Sequence, residues 1–330
     1  MKRLQNRIAE SKATLPLMAI YGVAMGATIM VHNDMMWMPF VCLTIAAVLM
    51  MEMNTTHALI RIYSRMVSCS FIVMMVMACT MPESAVPANT LAAQTGVPWL
   101  TDNALCAGAT MCMTAAYTVL FRTYQNHAAV TEMFYGSMLV SLASMLYVEA
   151  LYFLPVIWLL SAFCLQAASW RNFFASLFGI VTPYWFAAVW FVYNGDFTPF
   201  AQHFIRLTEV ALPPDYSHIT PSQAATFAFV FLLGMTGTIH FFRTSYNDKI
   251  RTRMLYGFFI TMGFLSAVFA IAQPQHYDFM LRMMILNTAP LAGHFIALTH
   301  TRTTNVAFHI IATAALLITL YNLWTSSLVF

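Results

Sequence analysis

His203, Arg206 and Glu209 fall three residues apart in the stretch AQHFIRLTE, residues 201–209, so one face of a helix would present all three. A guanidinium grips phosphate oxygens in a two-pronged geometry, and an imidazole or carboxylate beside it can give or take a proton. That combination suits transfer chemistry on a phosphorylated carrier, with Arg206 holding phosphate and His203 or Glu209 as acid or base. Three further ionisable residues fall on the same side of the membrane in the topology developed below. Glu149 interrupts the apolar run MLYVEALYFLP, and Asp278 and Arg282 stand at i and i+4, a helical spacing that lets them pair. Arg206, Glu149, Asp278 and Arg282 are therefore the candidate substrate-binding residues, lining an outer cup. Each also has a plainer role: Arg206 as an interfacial anchor, Asp278 with Arg282 as a structural pair, Glu149 as the cap of a tight hairpin.

Other chemistry is missing from the pattern. The chain has no H-E-x-x-H, no G-x-x-x-x-G-K-[ST], no G-x-G-x-x-G and no nucleophile elbow. His240, His294 and His309 match no metal-ligand spacing, and 26 methionines, as in VMMVM, read as leucine substitutes on packing and lipid-facing surfaces. Six cysteines include no C-x-x-C, and most sit in apolar segments where the thiol behaves as a small hydrophobe. Cys79 and Cys106 both fall near the outer face, where an oxidising compartment would permit a disulfide. The pattern thus asks for no metal and no cofactor.

The elements that must position the candidates are set by the solvent. Of 330 residues 60% are hydrophobic and only 8% are charged, with a mean hydropathy of +0.71, against roughly 25% charged in soluble domains. So few charges cannot coat a globule of this size in water. A net charge of +3 is spread over loops and makes no case for nucleic acid. A membrane span needs about 20 apolar residues, and eleven fit, at 14–31, 37–53, 66–81, 103–121, 133–148, 151–168, 173–193, 223–242, 254–271, 279–299 and 306–324. The fold class expected is an all-α polytopic bundle in a single integral membrane domain over residues 1–330.

Charge placement orients it. With the N-terminus inside, 13 of the 15 Lys and Arg fall in inner segments, and only Arg206 and Arg282 fall outside. An odd number of spans then puts the C-terminus outside. The basic start followed by an apolar stretch resembles a signal peptide but lacks a small-x-small site, so it reads as an uncleaved first helix. Phe197, Phe200, Phe204 and Leu207 share one side of residues 197–210 and Gln202, His203, Arg206 and Glu209 the other, as in a helix lying flat in the outer interface.

Two turns repeat. FRTYQNHAAVTEMFYG, residues 121–136, and FRTSYNDKIRTRMLYG, residues 242–257, match at 8 of 16 positions, among them Arg122 with Arg243, Asn126 with Asn247 and Gly136 with Gly257. Both are inner turns with the same orientation, so a duplication would be parallel, with halves near 103–193 and 223–324. Pro183 and Pro290 fall inside spans, where each frees a carbonyl for a neighbouring hydroxyl or amide. They read as kinks or as a cavity wall.

The phrases RLQNRIAESKATLPLMAIYG, RNFFASLFGIVTPYWF and GHFIALTHTRTTNVAFHI resemble uncharacterised multi-pass inner-membrane proteins of Bacteroidota. The resemblance covers most of the chain and implies a bacterial inner membrane, without catalytic residues. Scarce ionisable groups at depth argue against a proton pump or an ion-coupled carrier. The function expected is transport of a hydrophobic or amphiphilic solute, or a part in envelope assembly; on that reading the protein is not an enzyme. Its partners would be membrane lipid and a lipid-linked substrate or a membrane protein. The alternative is a glycan transferase using polyprenyl phosphate carriers, similar in outline to O-antigen polymerases and ligases, although the outer loop is short for that class. A carrier predicts a polar path between the halves; an assembly component predicts a solid core.

Overall fold

The computed structural model describes residues 4–30, 37–81, 101–195, 197–208 and 214–328. Among them there is no strand. The helices are α1 (Leu4–Glu10), α2 (Thr14–Met30), α3 (Trp37–His57), α4 (Met66–Cys79), α5 (Asp102–Leu120), α6 (Val130–Leu146), α7 (Leu154–Phe163), α8 (Trp170–Tyr193), α9 (Thr198–Ile205), α10 (Pro221–Thr244), α11 (Ile250–Ala272), α12 (Tyr277–Leu298) and α13 (Arg302–Leu328). Seven described helical segments are long and apolar enough to cross a membrane, and four more apolar stretches are shorter. The chain is therefore a membrane-embedded helical bundle. Each of the eleven segments expected from hydropathy overlaps a described helix, the sixth being a 3-10 turn over Val148–Phe153 followed by the ten residues of α7.

Local signals start several of these helices where they begin. Thr101 and Ser169 take the backbone N–H of Ala104 and Asn172 on their hydroxyls, each at 3.2 Å. Thr220 and Gln223 close a reciprocal capping box ahead of α10, with Pro221 at the first helical position.

The core is α12. Twenty of its 22 residues are buried, and it packs against α4, α11, α10 and α5. Its span has the lowest mean hydropathy of the seven, 1.2, while the span over Arg302–Thr325, at 1.9, is mostly exposed. The inversion follows from the solvent: lipid tails are as apolar as leucine, so apolarity does not drive a helix inward, whereas Arg282, Asn287 and His294 must leave the lipid. Interior positions are thus less empty of ionisable groups than the sequence reading held.

Close approach is made at glycines. A Cβ on Gly293 would meet Val67 N at 2.8 Å and Cα at 2.9 Å, so α12 and α4 touch backbone to backbone there. A Cβ on Gly179 would run into the carbonyl oxygen of Phe134, which sets the contact of α8 with α6. A serine ladder reinforces that contact: Ser137 meets Ser176 at 2.6 Å, Ser141 donates to Ile180 O at 2.8 Å, and Ser144 meets the Tyr184 hydroxyl at 2.7 Å. Pro183 lies within this ladder and is buried inside a continuous helix, so its place is in packed protein.

The two repeated turns differ in register. Each leaves its helix through a 3-10 turn, but Phe121–Thr123 in one matches the last α-helical residues 242–244 of the other, whose 3-10 turn is Ser245–Asn247. Their matched residues occupy different surroundings: Phe121 and Tyr256 are wholly buried, while their counterparts Phe242 and Tyr135 are exposed.

Candidate functional site

The site is assembled where the turn between α6 and α7, helix α9 and the start of α12 meet. Glu149 sits in the 3-10 turn over Val148–Phe153, and its side chain is only 7% exposed. Its Oε1 lies 3.3 Å from His276 Nδ1, and the Tyr147 hydroxyl lies 3.3 Å from the same nitrogen. Gln275 Nε2 donates to His276 Nε2 at 3.1 Å, which leaves Nδ1 as the protonated nitrogen facing Glu149. A carboxylate therefore orients an imidazole that is itself four-fifths enclosed, with Tyr147 stacked on Phe279 at 4.8 Å behind it.

Arg206 approaches this pair from α9. It is half-buried in the 3-10 turn Arg206–Thr208, its field reaches both Glu149 and His203, and among the described residues its guanidinium has no ion pair. The turn is pinned by Tyr152, whose hydroxyl donates to Leu207 O at 2.8 Å. A cation held beside a buried acid and left without an ion partner can receive an anionic group from outside.

His203 does not face water, as the helical wheel placed it. The structure turns its Nε2 toward the Tyr184 hydroxyl at 3.4 Å, and Tyr184 in turn meets Ser144. Helix α9 covers only Thr198–Ile205 and lays Phe200 and Phe204 on Tyr184 together with His203, so packing on α8 overrides the two-sided pattern. Burial, and after it the Arg206 charge, depresses the His203 pKa and keeps the ring neutral. Glu209 lies outside the described residues.

Asp278 stands in the first turn of α12, within electrostatic reach of Tyr147 and Cys106. Arg282, one turn deeper, is buried and donates to Asn103 Oδ1 on α5. It also borders a small apolar recess with Cys42, Cys79 and Thr110. Asn103, not Asp278, is its close oxygen partner, so Arg282 ties α12 to α5 from inside and is withdrawn from the outer cup. All six cysteines are free thiols, Cys79 and Cys106 included.

The structure thus brings Glu149, Arg206 and His203 to one end of the bundle, and leaves Arg282 as a strut. His276, Tyr147 and Tyr184 were missed by sequence reasoning. The polar run QPQHYD ahead of α12 was the available signal for His276; nothing local marked the two tyrosines. Compared with family models, with curated proteins and with solved structures, the chain matches none.

Proposed function

We propose that the chain is a bacterial inner-membrane protein of eleven spans, N-terminus inside and C-terminus outside, that serves in the cell envelope by holding the anionic head of an amphiphile at its outer face. The observation that carries this choice is the pairing of a closed core with an end-on site. Helix α12 is wrapped by protein along its length, and the Glu149–His276 pair with Arg206 gathers at one end. A carrier needs a polar route past the middle of the bundle; a component that grips lipid at one face needs a rigid interior and one charged mouth. The turns assigned to the inner side bind one another, as residues gathered at one end of the bundle would. Arg122 pairs with Glu52 at 2.9 Å, Arg251 with His57 at 2.6 Å, and Gln5 with Thr299 at 2.7 Å.

A second reading has its own support. An imidazole oriented by a carboxylate is a workable general acid or base, so the Glu149–His276 pair beside Arg206 also suits a transferase acting on polyprenyl-phosphate-linked glycans.

Native mass spectrometry of the gently extracted protein tests both. The expected result is an anionic lipid mass carried by the wild type and lost from Arg206→Ala. A bare chain in both samples, or a lipid mass unchanged by the substitution, overturns the proposal. Adding a polyprenyl-phosphate glycan and finding turnover that His276→Gln abolishes moves the transferase ahead.

A further inference from the structure

At the opposite end of the bundle three residues far apart in sequence converge. Asp248 follows the turn after α10 and places Oδ2 3.1 Å from His294 Nε2 on α12, with the two side chains 2% and 0% exposed. His240, from the last turns of α10, sets its ring 5.4 Å from that of His294 at an interplanar angle of 59°. Aromatic rings wall the pair in: Tyr256 at 5.0 Å and Phe241 at 5.5 Å from His294, and Phe295 at 5.4 Å from His240. The Tyr256 hydroxyl is committed elsewhere, to Pro290 O at 3.2 Å.

The hydrogen bonding of this pair does not close. Asp248 accepts the Nε2 proton of His294, which fixes the tautomer and leaves Nδ1 as a bare lone pair. That Nδ1 is buried without a partner, and so is Nδ1 of His240. Unpaired buried ring nitrogens are costly and uncommon, and two on adjacent rings call for a shared partner. The rings around the pair add no polar partner beyond the two nitrogens, so a shared partner has two ligands, fewer than the roughly three that a buried water typically makes.

We propose that His240 and His294 form a two-nitrogen site for a soft monovalent cation, copper(I), with Asp248 as the carboxylate that orients His294. Metal–nitrogen bonds of about 2 Å place two ligating nitrogens up to about 4 Å apart, a separation compatible with rings whose centroids lie 5.4 Å apart. Imidazole suits copper, and a carboxylate behind a ligating histidine recurs in metal sites. Charge favours the lower valence: Asp248 is the carboxylate at the pair and the Arg61 guanidinium also bears on both rings, so a divalent ion would add more uncompensated charge in a low-dielectric interior than a monovalent one. Among the described residues no group of three His, Cys, Asp or Glu forms a metal cluster, so four-coordinate zinc has no ligand set here.

The test is anaerobic titration of the detergent-purified chain with copper(I) against a chromogenic chelator, with X-ray absorption of the loaded sample. The expected result is one equivalent more copper in the wild type than in His240→Gln or His294→Gln, with nitrogen neighbours for that equivalent. Equal loading in all three, or a shell of sulfur alone, overturns the site and assigns any copper to thiols or thioethers. Should the histidine variants fail to fold, Asp248→Asn decides alone. A 10–100-fold weaker affinity is expected from loss of the orienting carboxylate, and an unchanged affinity refutes its role. Thermal stability without metal is measured alongside, since a purely structural Asp248 would lower stability and leave copper affinity untouched.

Discussion

Gly293→Ala tests the geometry of the core most directly. In a helix with open space, adding a methyl to glycine is favourable by about 1 kcal/mol through backbone entropy. At Gly293 the new Cβ would lie 2.8 Å from Val67 N, 2.9 Å from Val67 Cα and 3.1 Å from Met66 C, against 3.4 Å or more for ordinary contact. Helix α4 would have to retreat by about 0.6 Å, and the obstructing atoms are backbone, which no rotamer change can move. Overpacking of this kind costs about 1–3 kcal/mol, which reverses the sign of the propensity gain. Gly257→Ala is the internal control, because its Cβ would meet only Cys164 Sγ at 3.7 Å and keeps the gain of up to about 1 kcal/mol. The propensity gain is common to both, so the two variants should differ by about 1–3 kcal/mol, the overpacking cost alone, in unfolding measured by denaturant titration in mixed micelles. If Gly293→Ala matches or exceeds the wild type, the α4–α12 contact is not made backbone to backbone and the account of the core fails.

Three further outcomes are expected. Asn322, fully buried on α13, donates to Met77 O and Thr226 Oγ1, each at 3.1 Å; Asn322→Leu should cost about 0.6–1.7 kcal/mol in the same titration, and no loss would mean the helix is held by packing alone. His203 has a depressed pKa, so below its ordinary value of 6.5 the unfolded chain binds the proton more readily than the folded one. Stability should fall as pH drops through 6.5 and the fall should shrink in His203→Gln, which pH-dependent melting curves would register. For the orientation, a cysteine at Lys249 should react with an impermeant maleimide only after the cells are opened, and one at Ser217 before; the reverse pattern inverts the topology.

The candidate site was half legible. Glu149 and Arg206 stood out because a charge in an apolar chain is expensive and local in sequence. His276 was overlooked because its partners come from another hairpin 127 positions away in the chain, Glu149 being the nearer landmark. Arg282 was misassigned to the outer cup for the same reason: its distance from the helix end was readable, but not Asn103 waiting on α5. The wheel failed for His203 since it knows only water and lipid as the two sides of a helix, and here the second side is Tyr184.

What the amino-acid order determined by itself was the solvent and the helices. Backbone groups in lipid must bond within their own segment, so long apolar runs become helices whatever surrounds them. The turn residues and caps are likewise local, as Thr220 and Gln223 show. What only tertiary structure decided was which helix is the core and which residues meet. Apolarity cannot separate a lipid-facing surface from a protein-facing one, because both neighbours are equally oily. Small residues such as Gly293 and the need of Arg282, Asn287 and His294 for partners made that choice, and the same packing set His294 against Asp248 and His240 from elements that share no sequence neighbourhood.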